Sequence, residues 1–250
     1  MSSSSAVPEP EGMDAVSIAM PECSDRRMRQ QPPLSGNRSY HLKSRAASQG
    51  GRRYGGASAS ERRGERRSRL IRAAIALYGE QGYRHTTVTA VCRAAGLTPR
   101  YFYEAFANSD ALLLATFGEV TQFVTQRVAA AADAAGGTPQ DRLIALLTAY
   151  YDLLRDEPAS ARVFLSELSG IDPQVDELFE RSMASFADLI AGTLVPTHVP
   201  GSIEPLCRAG AMHGLLAVAR DWVARGCDEP VARVVRTVEP LCRMLVSRAG

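Results

Sequence analysis

Proline and glycine punctuate this chain so regularly from residue 66 onward that little besides a stack of helices is open to it. Thr98-Pro99, Thr138-Pro139, Pro158, Asp172-Pro173 and Pro230 each open an apolar-periodic run, and Gly82, Gly96, Gly136-Gly137, Gly170 and Gly226 each follow the end of one. Proline at the first helical position gives up only an N–H that has no intrahelical partner there, and glycine past the last position takes the conformation that closes a helix. Between these marks apolar residues recur three and four apart, as in Leu70, Ile71, Ala74, Ile75, Leu77 and Tyr78, the spacing of one helix face. Further helices are expected from Asn108 or Ser109 and from Ser202 or Ile203, the latter after a loop over 196–201. Sustained period-two alternation is absent, so the expected fold class is all-α, with about nine helices.

Residues 1–60 are rich in Ser, Pro, Gly and Arg and poor in large apolar side chains. Such a segment buries too little surface to offset its ordering entropy, and the expectation is a disordered extension. An arginine cluster, Arg62, Arg63, Arg66 and Arg67, stands directly ahead of the expected first helix near Arg66. It reads either as a flexible basic arm for phosphates or as a solvated tail. Charge is unevenly placed: residues 61–107 carry nine basic and four acidic side chains, residues 108–250 twelve basic and eighteen acidic. A basic first part ahead of an acidic remainder is expected when only the first part faces phosphates.

Several function classes are disfavoured. The five cysteines and four histidines show no metal-ligand or disulfide spacing, so no metal site is expected. No apolar run is long enough to span a membrane or serve as a signal peptide, which makes the cytoplasm the expected location. Nothing in residues 110–250 groups a nucleophile with a base, so no catalytic residues, cofactor or enzyme activity are expected.

The informative stretch is residues 86–106. Val88, Val91, Cys92 and Ala95 form an apolar stripe, Gly96 turns the chain, Leu97 fills the corner, and Thr98 and Pro99 open a second short helix, with Thr98 as its cap. Phe102 and Phe106, four residues apart, are expected inside. That burial leaves Pro99, Arg100, Tyr101, Tyr103 and Glu104 outside, at the end that a helix-turn-helix presents to the major groove. Arg100 suits guanine, the Tyr103 hydroxyl suits a phosphate, and Glu104 can accept from a cytosine amino group.

Residues 66–117 resemble the N-terminal domain of the TetR family of repressors. The resemblance rests on the amphipathic first helix, the aromatic–glycine–aromatic break from Tyr78 to Tyr83, Thr86-Thr87, Ala95-Gly96-Leu97-Thr98, Phe102-Tyr103, Phe106 and Leu112-Leu113. It implies a three-helix helix-turn-helix domain over 61–110, followed over 111–250 by a helical ligand-binding and dimerisation bundle. By position it adds Thr87, Thr89 and Thr98 to the DNA-facing set. Two departures stand out: Ser109 occupies a place where the family often has a phosphate-contacting Lys, and Glu104 one where it favours His or another donor. The arginines at 62–69 are candidates to compensate.

In the second half, Phe117, Leu147, Tyr151, Phe164, Phe179, Met183 and Phe186 are candidate lining residues of an apolar cavity between helices, with Tyr151 preferred over Tyr150. The last two helices resemble the pair through which the family dimerises, with Gly210, His213, Gly214, Val234, Val238, Leu241 and Leu245 as candidate interface residues. The resulting expectation is a homodimeric regulator bound to palindromic double-stranded operator DNA. A small apolar or amphipathic effector would release it as a repressor is released. A ligand-free architectural DNA-binding protein is the alternative.

Overall fold

The computed structural model describes residues 58–165 and 172–246. The extension over 1–57 and the expected helix end at Gly170 lie outside the described residues. Within them the chain is entirely helical: α1 (Ala59–Gln81), a 3-10 turn (Tyr83–His85), α2 (Val88–Ala95), α3 (Pro99–Ala105), α4 (Ser109–Ala135), α5 (Pro139–Asp156), α6 (Pro158–Leu165), α7 (Pro173–Leu194), α8 (Pro205–Ala224) and α9 (Val231–Met244).

Most boundaries follow from local chemistry. The Asn108 side chain accepts from the Ala111 N–H and opens α4, and Asp172 does the same for α7 through Gln174. Thr138 and Asp141 cap each other reciprocally at the start of α5, a capping box that satisfies two orphan donors. The side-chain bond from Thr138, seconded by its backbone N–H, holds the Asp141 carboxyl below the usual carboxylate range.

Three starts differ from the sequence expectation. Helix α1 begins at Ala59, well before Arg66, because Ser58 and Glu61 form a second capping box. Arg62, Arg63, Arg66 and Arg67 therefore stand on helix α1 itself and not on an arm ahead of it. Helix α8 begins at Pro205, capped by Glu204, while Ile203 is buried ahead of it. Pro230 is the cap of α9 and not its first residue, and Pro240 lies inside that helix.

Helices α1, α2 and α3 pack on one another as an N-terminal head, and α1 also lies against α4 and α6. Helix α5 is central to the remainder, touching α4, α6, α7, α8 and α9. One buried cluster runs from Leu70 in α1 through Phe117, Leu147 and Phe164 to Cys242 in α9. Head and bundle thus share a continuous core, with α4 and α6 belonging to both. Where α1 crosses α6 the approach is close: a Cβ at Gly79 would lie 2.5 Å from the Ala159 Cα. Arg162 fastens the same crossing by donating from Nη1 to the Gly79 carbonyl at 2.8 Å.

Candidate nucleic-acid interface and ligand cavity

The turn between α2 and α3 is built by backbone geometry. Gly96 sits at φ 62° and ψ 40°, the left-handed region open to glycine at little steric expense. Its N–H donates to the Arg93 carbonyl at 3.1 Å, and the Leu97 N–H donates to the Cys92 carbonyl at 2.9 Å. These two bonds make a Schellman closure, which ends α2 and aims the chain into α3. Sequence reasoning had missed the residue that ties this turn down. Arg69, on α1, donates from Nη2 to the Ala95 carbonyl at 2.6 Å and to the Gly96 carbonyl at 3.3 Å. A cation at a helix C-terminus meets the negative end of its dipole, so the charge holds the turn against α1. The signal available was its place one residue before the buried Leu70, on the side of α1 that faces α2.

Helix α3 divides its residues sharply. Phe102 is completely buried and Phe106 nearly so, their ring centroids 5.9 Å apart. Pro99, Arg100, Tyr101, Tyr103 and Glu104 are exposed, as are Thr87, Thr89 and Thr98. The Arg100 side chain is 85% exposed and Tyr103 63%, so both reach well beyond the head. Thr87 caps α2 by accepting from the Ala90 N–H, whereas Thr98 makes no side-chain cap bond to α3. The cap expected of Thr98 is thus not formed; Pro99 fixes the first turn instead.

The arginines of α1 flank this face. Arg62, Arg63 and Arg67 are exposed, and Arg67 lies over the Phe106 ring at 4.9 Å. Arg66 lies over the Tyr101 ring at 4.5 Å and reaches Glu104 at 3.9 Å. Glu104 also accepts from the Arg100 Nε at 3.1 Å. Its carboxylate therefore has two arginine neighbours within the protein while remaining exposed. At Ser109 the Oγ is 3.3 Å from the Tyr83 hydroxyl, which donates to Asp110. Burial, then that bond to Asp110, raises the Tyr83 pKa. The start of α4 is therefore tied to the 3-10 turn.

The bundle contains a cavity of about 40 Å³ lined by Val128, Leu146, Leu147, Tyr150, Phe164, Met183, Phe186, Ile190, Met212, Leu215 and Leu216. Four of the candidate residues, Leu147, Phe164, Met183 and Phe186, are in this lining. Phe117 and Phe179 are not: Phe117 stacks behind Phe164 at 6.5 Å, and Phe179 packs behind Phe117 at 6.3 Å. Tyr150, not Tyr151, faces the cavity. Tyr151 is directed away from the cavity, edge-on to Trp222 at 5.3 Å. Adjacent helical residues diverge by about 100°, so only one of the two can face the cavity. Sequence reasoning missed Ile190, although Met183, Phe186 and Ile190 follow one helix face.

The candidate interface residues divide in two. Val234, Val238 and Leu245 are buried in the chain's own core, so they are not surface for a partner; the apolar stripe of α9 is covered by α5 and α8. Gly210 and His213 are exposed, and Gly214 lies close beneath Leu241. Among the described residues no group of three or more metal-ligating side chains occurs, and no helix is long and apolar enough to cross a membrane.

A three-helix head carrying a helix-turn-helix, continued by a helical bundle around an apolar cavity, defines an all-α helix-turn-helix protein. Residues 70–116 match the description "Bacterial regulatory proteins, tetR family". The chain is 27% identical over 130 residues to the HTH-type transcriptional regulator BetI of Rhizobium meliloti (strain 1021), covering 52% of this chain and 63% of that protein. It is 30% identical over 101 residues to BetI of Stenotrophomonas maltophilia (strain R551-3), covering 40% of this chain and 52% of that one. The chain thus spans less than two thirds of the length of these curated relatives. In fold it is similar to the transcriptional regulator FadR from Bacillus subtilis, solved in complex with stearoyl-CoA, with a TM-score of 0.57 and 19% identity over 73% of this chain and 99% of that one. Residues 70–116 are thus similar to the tetR family of bacterial regulatory proteins, and the curated proteins that the chain resembles are HTH-type transcriptional regulators.

Proposed function

We propose that the protein is a sequence-specific DNA-binding repressor that works as a homodimer and leaves its operator when a small apolar or amphipathic ligand enters the bundle. The observation that carries this reading is the division of α3, with Phe102 and Phe106 in the core and Arg100, Tyr101 and Tyr103 outside. That division commits one face of a rigidly held helix to a partner outside the chain, and the flanking α1 arginines make a polyanion the fitting partner. The functional division is residues 61–110 for reading and 111–250 for ligand and dimer, with α4 and α6 linking them. The DNA-facing set is Thr87, Thr89, Thr98, Pro99, Arg100, Tyr101, Tyr103 and Glu104, flanked by Arg62, Arg63, Arg66 and Arg67.

The second copy is assigned to the exposed side of α8 and α9, where Leu206, Gly210, His213 and Met244 face outward. A two-fold pairing there buries the same patch from each chain and suits a palindromic operator, with reading helices about 34–36 Å apart for successive major grooves. For the ligand, pockets of drug-sized molecules run to roughly 300–1,000 Å³, far above the 40 Å³ cavity here. A ligand of that size therefore has to part some of the helices α4 to α8 that wall the cavity. Because it binds only the parted arrangement, it shifts the population toward that arrangement and away from the DNA-bound shape. The apolar lining and the stearoyl-CoA held by the FadR relative favour a fatty acyl chain.

Footprinting on the DNA flanking the protein's own gene, with and without stearoyl-CoA, tests this reading. The expected result is one short two-fold symmetric footprint in the cytoplasmic regulator's own promoter region, lost on adding the acyl-CoA. Broad unsymmetrical coverage would indicate an architectural protein instead. A symmetric footprint indifferent to acyl-CoA would retain the regulator and reject that ligand class.

A further inference from the structure

Glu104 is the one acidic side chain on the exposed face of α3, and its surroundings give it a definite task. Its Oε1 accepts from the Arg100 Nε at 3.1 Å, and its Oε2 faces the Arg66 Nη2 at 3.9 Å. Arg66 is itself set by the Tyr101 ring, 4.5 Å from the guanidinium carbon. A chain of contacts thus runs from α1 through Glu104 to the most exposed cation of α3. Ion pairs this open to solvent add little stability, so their effect lies in orientation. Resting on the DNA-binding reading above, we infer that Glu104 is a positioning residue that presents Arg100 to a guanine and does not itself read a base.

The chemistry follows from which edge of the guanidinium is taken. Engaging Nε leaves the end-on pair of terminal N–H groups of Arg100, one from each Nη, with no partner among the described residues. Two parallel N–H donors at the end of a planar fork match the O6 and N7 acceptors of guanine in the major groove. Both Glu104 oxygens face arginines, so a cytosine amino group approaching either has to share it with a guanidinium. Glu104 also places a negative charge near the phosphates. It therefore lowers affinity for DNA of any sequence while sharpening the choice among sequences.

The test is selection from a randomised duplex library by the full-length wild-type protein, Arg100→Ala, Glu104→Ala and Glu104→Gln, followed by titration of the preferred duplex and its single-base variants at fixed salt. Wild type is expected to prefer guanine at one position of each half-site. Glu104→Ala is expected to lose about ten-fold discrimination, the scale of one bidentate contact, at the same position as Arg100→Ala, while binding unrelated DNA more tightly. Glu104→Gln keeps an acceptor for Nε and is expected to keep the guanine preference, which a merely structural role or a charge effect alone does not predict. A Glu104→Ala protein that keeps that preference overturns the inference, as does one that loses a cytosine at a position Arg100→Ala leaves intact. A wild-type protein that enriches no sequence overturns the DNA-binding reading itself, a result distinct from either.

Discussion

Replacing Phe102 with alanine is expected to lower the stability of the head by about 3–5 kcal/mol, the range for emptying a buried aromatic site. Phe102 has no exposed surface and lies where α1, α2 and α3 meet. Helix α3 has only seven residues, too few to persist without packing, and Phe102 and Phe106 are the residues that bury it. The loss is comparable to the whole stability of a small domain. Chemical denaturation followed by circular dichroism is therefore expected to show a lower unfolding midpoint than wild type, with DNA binding weakened. Tyr103, next along the same helix but largely exposed, serves as the contrast. Its replacement by alanine is expected to change stability by no more than about 0.5 kcal/mol.

Gly79→Ala is expected to be destabilising by about 1–3 kcal/mol, as overpacking is elsewhere, and the sign is the informative part. In an unobstructed helix interior, glycine to alanine stabilises by up to about 1 kcal/mol. Gly64 on the same helix has nothing within 4 Å of a built Cβ, and Gly64→Ala is expected to show that gain. At Gly79 the new Cβ meets the Ala159 Cα at 2.5 Å and its carbonyl oxygen at 2.8 Å. These are backbone atoms, which cannot swing aside, so α6 has to move away from α1 and the Arg162 bond to the Gly79 carbonyl is strained with it. Thermal unfolding of both variants against wild type measures the pair. Ala159→Gly added to Gly79→Ala relieves only the Cβ contact at 2.7 Å, so rescue is expected to be partial. Helix α6 also carries Phe164 into the cavity wall, so this crossing joins the cavity to the head.

What the sequence made legible was local. Asn108, Thr138-Pro139 and Asp172-Pro173 announce helix starts because a cap needs only a side chain and the next three N–H groups. Gly96 announces the turn because few other residues take its conformation. Phe102 and Phe106 share a helix face at a spacing of four, and that alone sends Arg100 and Tyr103 outward. The start of α1 was also written locally, in Ser58 and Glu61 three residues apart. It was hidden because the first turns carry arginines where apolar periodicity is usually read. Choices between non-local partners were not legible. The stripe Val234, Val238 and Leu245 was visible, but an apolar stripe does not say whether α5 or a second chain covers it. Tyr150 and Tyr151 are equal in sequence, and the position of Trp222 decides between them. Nothing in the sequence placed Arg66, thirty-eight residues earlier in the chain, beside Glu104.

The claim on which the whole account turns is that the exposed face of α2 and α3 reads DNA. Its most direct test is equilibrium binding of wild type and Arg100→Ala to the footprinted duplex and to a scrambled duplex, across a series of salt concentrations. The account predicts steep loss of wild-type affinity with salt, by a slope of about −0.9 per phosphate neutralised. It also predicts a preference for the footprinted duplex that Arg100→Ala reduces about ten-fold or more, on the scale of a bidentate base contact in each half-site. Wild-type protein that binds both duplexes equally, or Arg100→Ala that retains the full preference, would contradict it.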